Sequence, residues 1–271
     1  MGLFLFKLDT VNPKQMGVIM KVVYHRDYEK VYTMDPAAKE GRMERIRDAL
    51  KGIYDFITPD PAKEEDILRV HTRNLLELVK RQGVYDIALL AAGGAIKAGE
   101  IAMDEPSFAL IRPPGHHAGK NFNGGFCYFN NLAVAIEYLR AKKGLSRFLI
   151  VDIDLHYGNG TFDIFKNDPD VFFLNMEGMP SEKYLRTLKE RLEKIKDEYH
   201  MLCVSAGFDC YELDWGGFLR TEDYKKIGEI LRDFSIKKCL GRRFAVLEGG
   251  YYLPDPGKNA KSFLEGFSNK D

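Results

Sequence analysis

Two aspartates and a histidine offer the ligand types that a divalent cation prefers. Asp154 and His156 are two residues apart in D-I-D-L-H, so in extended backbone their side chains point to the same side. Asp209 follows a later apolar run and adds a second carboxylate. Three nitrogen and oxygen ligands leave coordination positions open, which is typical of a catalytic zinc site. The same donors also accept Fe²⁺, Co²⁺ or Mn²⁺.

A tandem histidine pair could transfer protons beside such a metal. His116 and His117 follow Pro113-Pro114-Gly115, and the whole chain has six histidines. One imidazole could accept a proton from an activated water while the other holds a proton for a leaving amine. Asp152 shares the side of Asp154, and we interpret it as an acceptor that orients a histidine. We expect the coupled pair to set the pH profile.

Tyr251 supplies a phenol after the dipeptide Gly249-Gly250. Beside a metal, this hydroxyl could donate a hydrogen bond to an oxyanion that develops during acyl transfer. Taken alone, a tyrosine on a turn is more often a packing residue. Its occurrence together with the metal-type ligands and the histidine pair favours a catalytic role.

The elements that must position these residues have the pattern of an α/β protein. The predicted strands are continuously apolar, which is typical of parallel strands covered on both faces. We therefore expect a three-layer α/β/α fold with a mostly parallel sheet. The predicted strands are 19–24, 107–112, 147–152, 171–174, 201–205 and 244–247, and the predicted helices are 37–50, 62–70, 73–81, 86–103, 130–143, 181–199 and 222–238.

The candidate residues follow the ends of four predicted strands. They lie in the segments 112–117, 152–160, 205–209 and 248–251. In open parallel sheets, ligands bind at the carboxyl ends of the strands, so we expect these segments to meet. No linker composition divides the chain, and we predict a single domain over 1–271, with 1–19 as a possible extra N-terminal segment.

Composition excludes several other classes. The 271 residues include 40 Lys+Arg and 40 Asp+Glu, and this balance gives no support for direct nucleic-acid binding. No run of 18 apolar residues occurs, so no membrane span is expected. No C-x-x-C pair is present, and buried, reduced thiols in a cytoplasmic protein are the expectation. The four cysteines are Cys127, Cys203, Cys210 and Cys239.

Five ordered segments resemble the histone deacetylase family of the arginase/deacetylase superfamily. The likeness extends from about residue 20 to 253 and implies an arginase/deacetylase-like fold. Asn159 and the spelling L-E-G-G-Y are closer to class II deacetylases and acetylpolyamine amidohydrolases than to class I. The segments are R-P-P-G-H-H-A at 112–118, N-G-G-F-C-Y-F-N-N at 123–131, D-I-D-L-H-Y-G-N-G-T at 152–161, S-A-G-F-D at 205–209 and L-E-G-G-Y at 247–251.

The resemblance implies an activity and a metal site. The activity is hydrolysis of an N-acyl amide, with acetyl the expected acyl group, on a lysine or a small amine. The implied zinc ligands are Asp154, His156 and Asp209. By the same likeness, His117 is the general base and His116 is its partner on the leaving-group side.

The resemblance also implies the residues around the reacting groups. Asp152 matches the carboxylate that hydrogen-bonds the first histidine, and Asn159 stands where class I has an aspartate behind the second. Tyr251 matches the tyrosine that polarises the acyl carbonyl. Gly125 and Phe126 match the wall of a narrow acyl-lysine tunnel, with the Gly125 carbonyl offered to the substrate amide.

Two further expectations follow from the likeness. A monovalent cation, K⁺, is suggested near Asp152, and Arg42 matches the arginine of an internal product channel. The chain also departs from the family pattern. Segment 175–180 lacks the usual glycine-rich loop and its second aromatic tunnel wall, and the loop before Ala91 lacks an acidic substrate clamp. These shorter loops around the predicted tunnel indicate a shallower or more open pocket.

Three alternatives remain open. An arginase-like enzyme with two manganese ions would need more carboxylates. At the two positions where that class would have further aspartates, this chain has Gly158 and Cys210. A protein with shortened loops could instead bind a metal or an acyl ligand without turnover. Within the deacetylase interpretation, the substrate could be an acetylpolyamine or another small N-acyl amine and not acyl-lysine.

Overall fold

Seven parallel strands form the sheet that the apolar runs predict. The computed structural model describes residues 20–268, so the predicted N-terminal segment 1–19 lies outside the described residues. The strand order is β2-β1-β3-β7-β6-β4-β5, and every neighbouring pair is parallel. The strands are β1 Lys21–Val23, β2 Asp55–Ile57, β3 Ser107–Ala109, β4 Phe148–Asp152, β5 Val171–Asn175, β6 Met201–Ala206 and β7 Arg243–Leu247.

Helices cover the sheet in two groups. One group contains α2, α4 and α5, and the other contains α1, α7, α8 and α9. None of the helices within 20–268 is long and apolar enough to cross a membrane. The helices are α1 Arg42–Leu50, α2 Glu64–Ile67, α3 Arg73–Arg81, α4 Tyr85–Ile101, α5 Asn131–Lys143, α6 Asn159–Phe165, α7 Ser181–Glu193, α8 Thr221–Lys238 and α9 Pro256–Phe267.

The central strands are buried on both faces. Every residue of β3, β4, β6 and β7 is buried, and consecutive residues of a strand point to opposite faces. Helices must therefore cover both sides of the sheet, which confirms the predicted three-layer α/β/α fold. The four cysteines are unpaired and buried, as expected.

Some helices and strands differ from those that the sequence pattern predicts, because tertiary contacts determine where they form and end. The sequence does not predict β2, a three-residue edge strand, or the helices α6 and α9. The helix predicted over 181–199 ends at Glu193. Downstream, the Tyr199 amide donates to Lys238 O at the end of α8, which directs the chain into β6.

The strand order brings the candidate segments to one edge. β3, β7, β6 and β4 are consecutive neighbours, so their carboxyl ends lie side by side. The registers pair Asp152 with Ser205 and Ala206 with Leu247. The loops that follow these strands therefore share one end of the sheet, as the α/β pattern predicts.

Gly93 lets a loop pass directly over α4. A Cβ at this position would collide with Asp60 O and would lie 2.7 Å from Ala62 N. We expect Gly93→Ala to lower the free energy of unfolding by about 1–3 kcal/mol, although alanine is the better helix former. Urea denaturation measures this. Gly124→Ala is the control, since its Cβ meets nothing within 4 Å; equal losses in both variants would contradict the steric explanation.

Candidate active site

Asp154, His156 and Asp209 come together at the carboxyl edge of the sheet. The loop after β4 carries the first two, and the loop after β6 carries the third. One ligand atom from each residue lies within 4.8 Å of the others. His156 Nδ1 is 2.9 Å from Asp209 Oδ2 and 3.2 Å from Asp154 Oδ1. The three donors thus face one small volume.

The burial and charge of this cluster fit a bound cation. Asp154 and Asp209 are 1% and 0% exposed, and buried carboxylates need a positive partner in place of lost hydration. Asp209 Oδ2 accepts no hydrogen bond of good geometry from the described residues, although His156 Nδ1 is close. Burial, reinforced by the charge of Asp154, raises the pKa of Asp209 to about 7.

His156 is the most solvent-exposed residue of the three-residue cluster. Its side chain is 40% exposed, and the nearby carboxylates of Asp154 and Asp209 raise its pKa to about 10. A proton therefore occupies the nitrogen that faces the two carboxylates. A cation would compete for the same lone pair, because an imidazole ligand must be deprotonated. Two carboxylates and one imidazole fit a divalent ion such as Zn²⁺ or Fe²⁺.

Backbone amides hold the two carboxylates in place. Gly249 N donates to Asp154 Oδ2 at 2.8 Å, and Leu155 N donates to Asp209 Oδ1 at 3.0 Å. Gly207 allows the strands to close around this point, because a Cβ there would collide with Asp154 Oδ2. The loops after three different strands thus fix the ligand geometry together.

Each histidine of the tandem pair has its own partner. His116 Nδ1 donates to Asp152 Oδ2 at 3.0 Å, and His117 Nδ1 donates to Asn159 Oδ1 at 2.6 Å. The two ring centroids are 4.0 Å apart. His116 Nε2 is 3.7 Å from Asp154 Oδ1, so the pair borders the candidate metal centre.

The two imidazoles differ in charge. Burial opposes protonation of His116, but the charges of Asp154 and Asp152 outweigh it and raise its pKa well above the ordinary value. For His117, burial and the neighbouring His116 lower the pKa to about 4. Near neutral pH, His116 is therefore a cation and His117 is a neutral imidazole that can accept a proton.

Tyr251 lies on a glycine turn among aromatic rings. Gly250 has a φ of 111°, which favours glycine. The Tyr251 ring lies 4.3 Å from the Trp215 ring and 5.9 Å from the Phe126 ring, centroid to centroid. Burial raises the pKa of Tyr251 well above its usual range. Its hydroxyl therefore keeps its proton and can donate a hydrogen bond to an oxyanion.

Gly125 and Phe126 form a strained wall beside His117. Both have positive φ, 55° and 67°. A Cβ on Gly125 would collide with the His117 ring, so only glycine fits there. The Gly125 carbonyl accepts a weak hydrogen bond from Cys127 Sγ at 3.4 Å. The wall therefore contacts the histidine pair directly.

Trp215 is a site residue that the sequence analysis does not identify. Segment 175–180 contains no aromatic residue, as noted above, but Trp215 faces Phe126 from the loop after β6. Their ring centroids are 6.5 Å apart at an interplanar angle of 65°. Trp215 therefore places an aromatic ring opposite Phe126 from a segment other than 175–180. Its only sequence signal is being the sole tryptophan, close behind Asp209.

Glu248 is the second residue missed. It is fully buried, and its Oε2 accepts from Gly115 N at 2.6 Å and from His116 N at 3.2 Å. Ser205 Oγ donates to Oε1. With His116 and Cys127 it forms a second group of potential metal donors. Its oxygens already accept these three protein hydrogen bonds, so we interpret it as the anchor of the histidine loop.

Arg42 lies beneath Tyr251. Its Nε donates to Gly250 O at 2.8 Å, and Nη2 donates to Glu248 O at 2.6 Å. The guanidinium carbon is 5.4 Å from the Tyr251 ring centroid. Nη1 is buried and has no hydrogen-bond partner among the described residues. One positively charged donor therefore remains available behind the reacting groups.

Known proteins are similar to this chain in sequence. The family model described as "Histone deacetylase domain" matches residues 36–180. A "Probable deacetylase" of Archaeoglobus fulgidus is 31% identical over an alignment of 300 positions, and the match covers 86% of this chain and 82% of that protein. The acetylpolyamine amidohydrolase of Mycoplana ramosa is 32% identical and covers 71% of this chain and 66% of its own length.

A solved structure matches the fold. The crystal structure of the HDA15 HD domain superposes with a TM-score of 0.79 at 23% identity, over 92% of this chain and 90% of that one. Together, the family model over more than half of the chain and a relative above 30% identity settle the classification. The chain belongs to the histone deacetylase family, and its enzyme class is that of a hydrolytic deacetylase.

Proposed function

We propose that this protein hydrolyses an N-acyl amide, with acetyl the preferred acyl group, at a single zinc ion. The observation that carries the proposal is the approach of Asp154, His156 and Asp209 to within 4.8 Å of one another beside a tandem histidine pair. When bound there, the ion polarises the acyl carbonyl and lowers the pKa of water. Fe²⁺ is the second candidate for the same donors.

His117 is the proposed general base. Its Nδ1 is committed to Asn159 Oδ1, so the lone pair on Nε2 is directed away from that partner and can accept the proton of the attacking water. His116 already carries a proton because of the carboxylates of Asp152 and Asp154. It is the proposed donor to the departing amine. The two roles follow from the opposite charge states of neighbouring imidazoles.

Tyr251 is the proposed oxyanion donor, and Arg42 the proposed binder of the carboxylate product. The Tyr251 hydroxyl keeps its proton because burial raises its pKa, and a hydrogen bond that strengthens as the oxyanion forms lowers the barrier. The unpartnered Nη1 of Arg42 supports binding of a carboxylate, whose charge matches the guanidinium.

Small N-acyl amines are the alternative substrates to acyl-lysine. The likeness to the Mycoplana ramosa amidohydrolase supports this alternative. Cleavage of acetylputrescine or acetylspermidine far in excess of acetylated peptides would decide for it. The K⁺ near Asp152 stays a prediction, as does a cytoplasmic location, which the four unpaired cysteines favour.

A fluorogenic acetyl-lysine assay with and without chelator tests the activity itself. We expect turnover that chelator abolishes and Zn²⁺ restores. Absence of turnover on peptides and on small N-acetyl amines, with one zinc bound, would favour the non-catalytic alternative. Two metal ions per chain by elemental analysis would favour the arginase-like alternative.

Asp209→Ala removes one proposed metal ligand. We expect metal occupancy to fall at least tenfold, since a carboxylate that would neutralise the ion is lost. Elemental analysis after gel filtration measures occupancy. The control is Glu198→Ala, an exposed carboxylate before β6 at the opposite end of the sheet. Full occupancy in Asp209→Ala would refute the ligand assignment.

Asn159→Asp places a carboxylate beside His117. A negative charge stabilises the imidazolium, so the pKa of His117 rises from about 4. As the pH falls, His117 is then protonated, and lost as a base, at a higher pH than in the wild type. We expect the acid limb of the kcat/KM profile to move up by about one pH unit or more. Asn167→Asp, an exposed position with the same charge change, is the control. An unmoved or lowered acid limb would exclude His117 as the base.

Tyr251→Phe removes only the phenol oxygen. We expect kcat to fall by about 10²- to 10³-fold with zinc content unchanged. Steady-state kinetics and elemental analysis measure both quantities. Tyr252→Phe is the matched control on the same turn. Turnover retained in Tyr251→Phe would rule out the oxyanion role.

A further inference from the structure

The loop between β6 and α8 bonds directly to the turn that carries Tyr251. Asp214 Oδ2 accepts hydrogen bonds from Tyr251 N at 2.6 Å and from Tyr252 N at 2.7 Å. Asp214 Oδ1 accepts from Trp215 N at 2.8 Å. One carboxylate therefore ties two backbone amides of the turn to an amide of its own loop.

This loop is itself fixed to the candidate metal centre. Gly216 N donates to Asp209 O at 2.8 Å, and Asp214 N donates to Tyr211 O at 3.0 Å. Tyr211 and Leu219 form a parallel bridge that closes the loop. Asp214 thus stands on a short segment that is anchored to a proposed metal ligand.

Trp215 adds a contact to the tyrosine ring. The two rings lie 4.3 Å apart at an interplanar angle of 33°. Trp215 remains 53% exposed, and its ring is perpendicular to that of His156 at 5.8 Å. The Trp215 contact restricts the side-chain torsions of Tyr251, while Asp214 fixes its backbone.

The turn needs such an anchor. Gly249 and Gly250 precede Tyr251, and a two-glycine approach allows many backbone conformations. An oxyanion donor must lie about 2.7–3.1 Å from the developing charge, and a displacement of about 1 Å can reduce the rate about 10²-fold. The position of the phenol must therefore be set from outside the turn.

We propose that Asp214 and Trp215 are positioning residues that hold Tyr251 in its catalytic orientation. The inference rests on the proposed oxyanion role of Tyr251. Asp214 sets the backbone by accepting the two amide hydrogens, and Trp215 sets the ring by aromatic contact. Neither residue takes part in proton transfer.

Double-mutant cycles on the zinc-loaded protein test this inference. Asp214→Ala and Trp215→Ala are each measured in the wild type and in Tyr251→Phe. In the wild type we expect kcat to fall about tenfold or more, with KM changed less than about threefold. In Tyr251→Phe we expect each substitution to change kcat less than about twofold, because the hydroxyl that it positions is already absent.

Conservative variants and a loop control accompany the cycles. Trp215→Phe retains an aromatic face, and Asp214→Asn retains one acceptor oxygen, so both are expected to recover part of the lost kcat. They also carry the test if the alanine variants fold poorly. Glu212→Ala removes an exposed carboxylate from the same loop and is expected to leave kcat unchanged. Zinc content and Tm are recorded for every variant.

The outcomes separate this inference from the proposed function. Equal losses of kcat in the wild type and in Tyr251→Phe would overturn it, because the residues would then act independently of the hydroxyl. A rise in KM alone for Trp215→Ala would make that residue a substrate wall and would equally overturn its positioning role. Full turnover in Tyr251→Phe would instead refute the oxyanion role on which the inference stands.

Discussion

The close approach of two buried carboxylates is the constraint on which the rest of the site depends. Asp154 and Asp209 are almost fully excluded from solvent and share the nitrogen of His156 between them. Like charges in a poorly solvated site repel, and here burial and the Asp154 charge raise the pKa of Asp209 to about 7. Backbone amides from the β4 and β7 loops relieve part of this repulsion. The remaining demand for positive charge suits the cluster to the proposed cation.

The same negative charge organises the proton carriers. The carboxylates of Asp152 and Asp154 keep His116 protonated, and the resulting cation helps to lower the pKa of His117 to about 4. Two chemically identical side chains at adjacent positions thereby acquire opposite charge states. The candidate metal ligands and the histidine pair are one electrostatic system, because His116 Nε2 lies 3.7 Å from Asp154 Oδ1 and a change of charge in either group affects the other. Glu248 keeps the pair in register by accepting the His116 backbone amide.

The candidate site combines residues inside and outside the segment that the family model matches. The family model matches residues 36–180, which include the histidine pair, Asp154 and His156. Asp209 and Tyr251 follow this range in the chain. The rings of Phe126 and Trp215 come from different parts of the chain, lie 6.5 Å apart, and both contact the Tyr251 ring. Trp215 is 53% exposed and the His156 side chain 40% exposed, so this side of the site stays open to solvent.

Continuous apolar runs and D-x-H spacing are local properties, so the amino-acid sequence predicts the parallel α/β architecture and the residues that meet in the candidate site. The tertiary structure alone decided the role of Glu248 and Asp214, whose carboxylates accept amides more than 30 residues away. It also decided the edge strand β2 and the end of α7, where contacts with distant elements override weak local propensity. The charge states of the histidines likewise depend on burial and on charged neighbours from other strands. The spacing of residues along the chain gives no information about either.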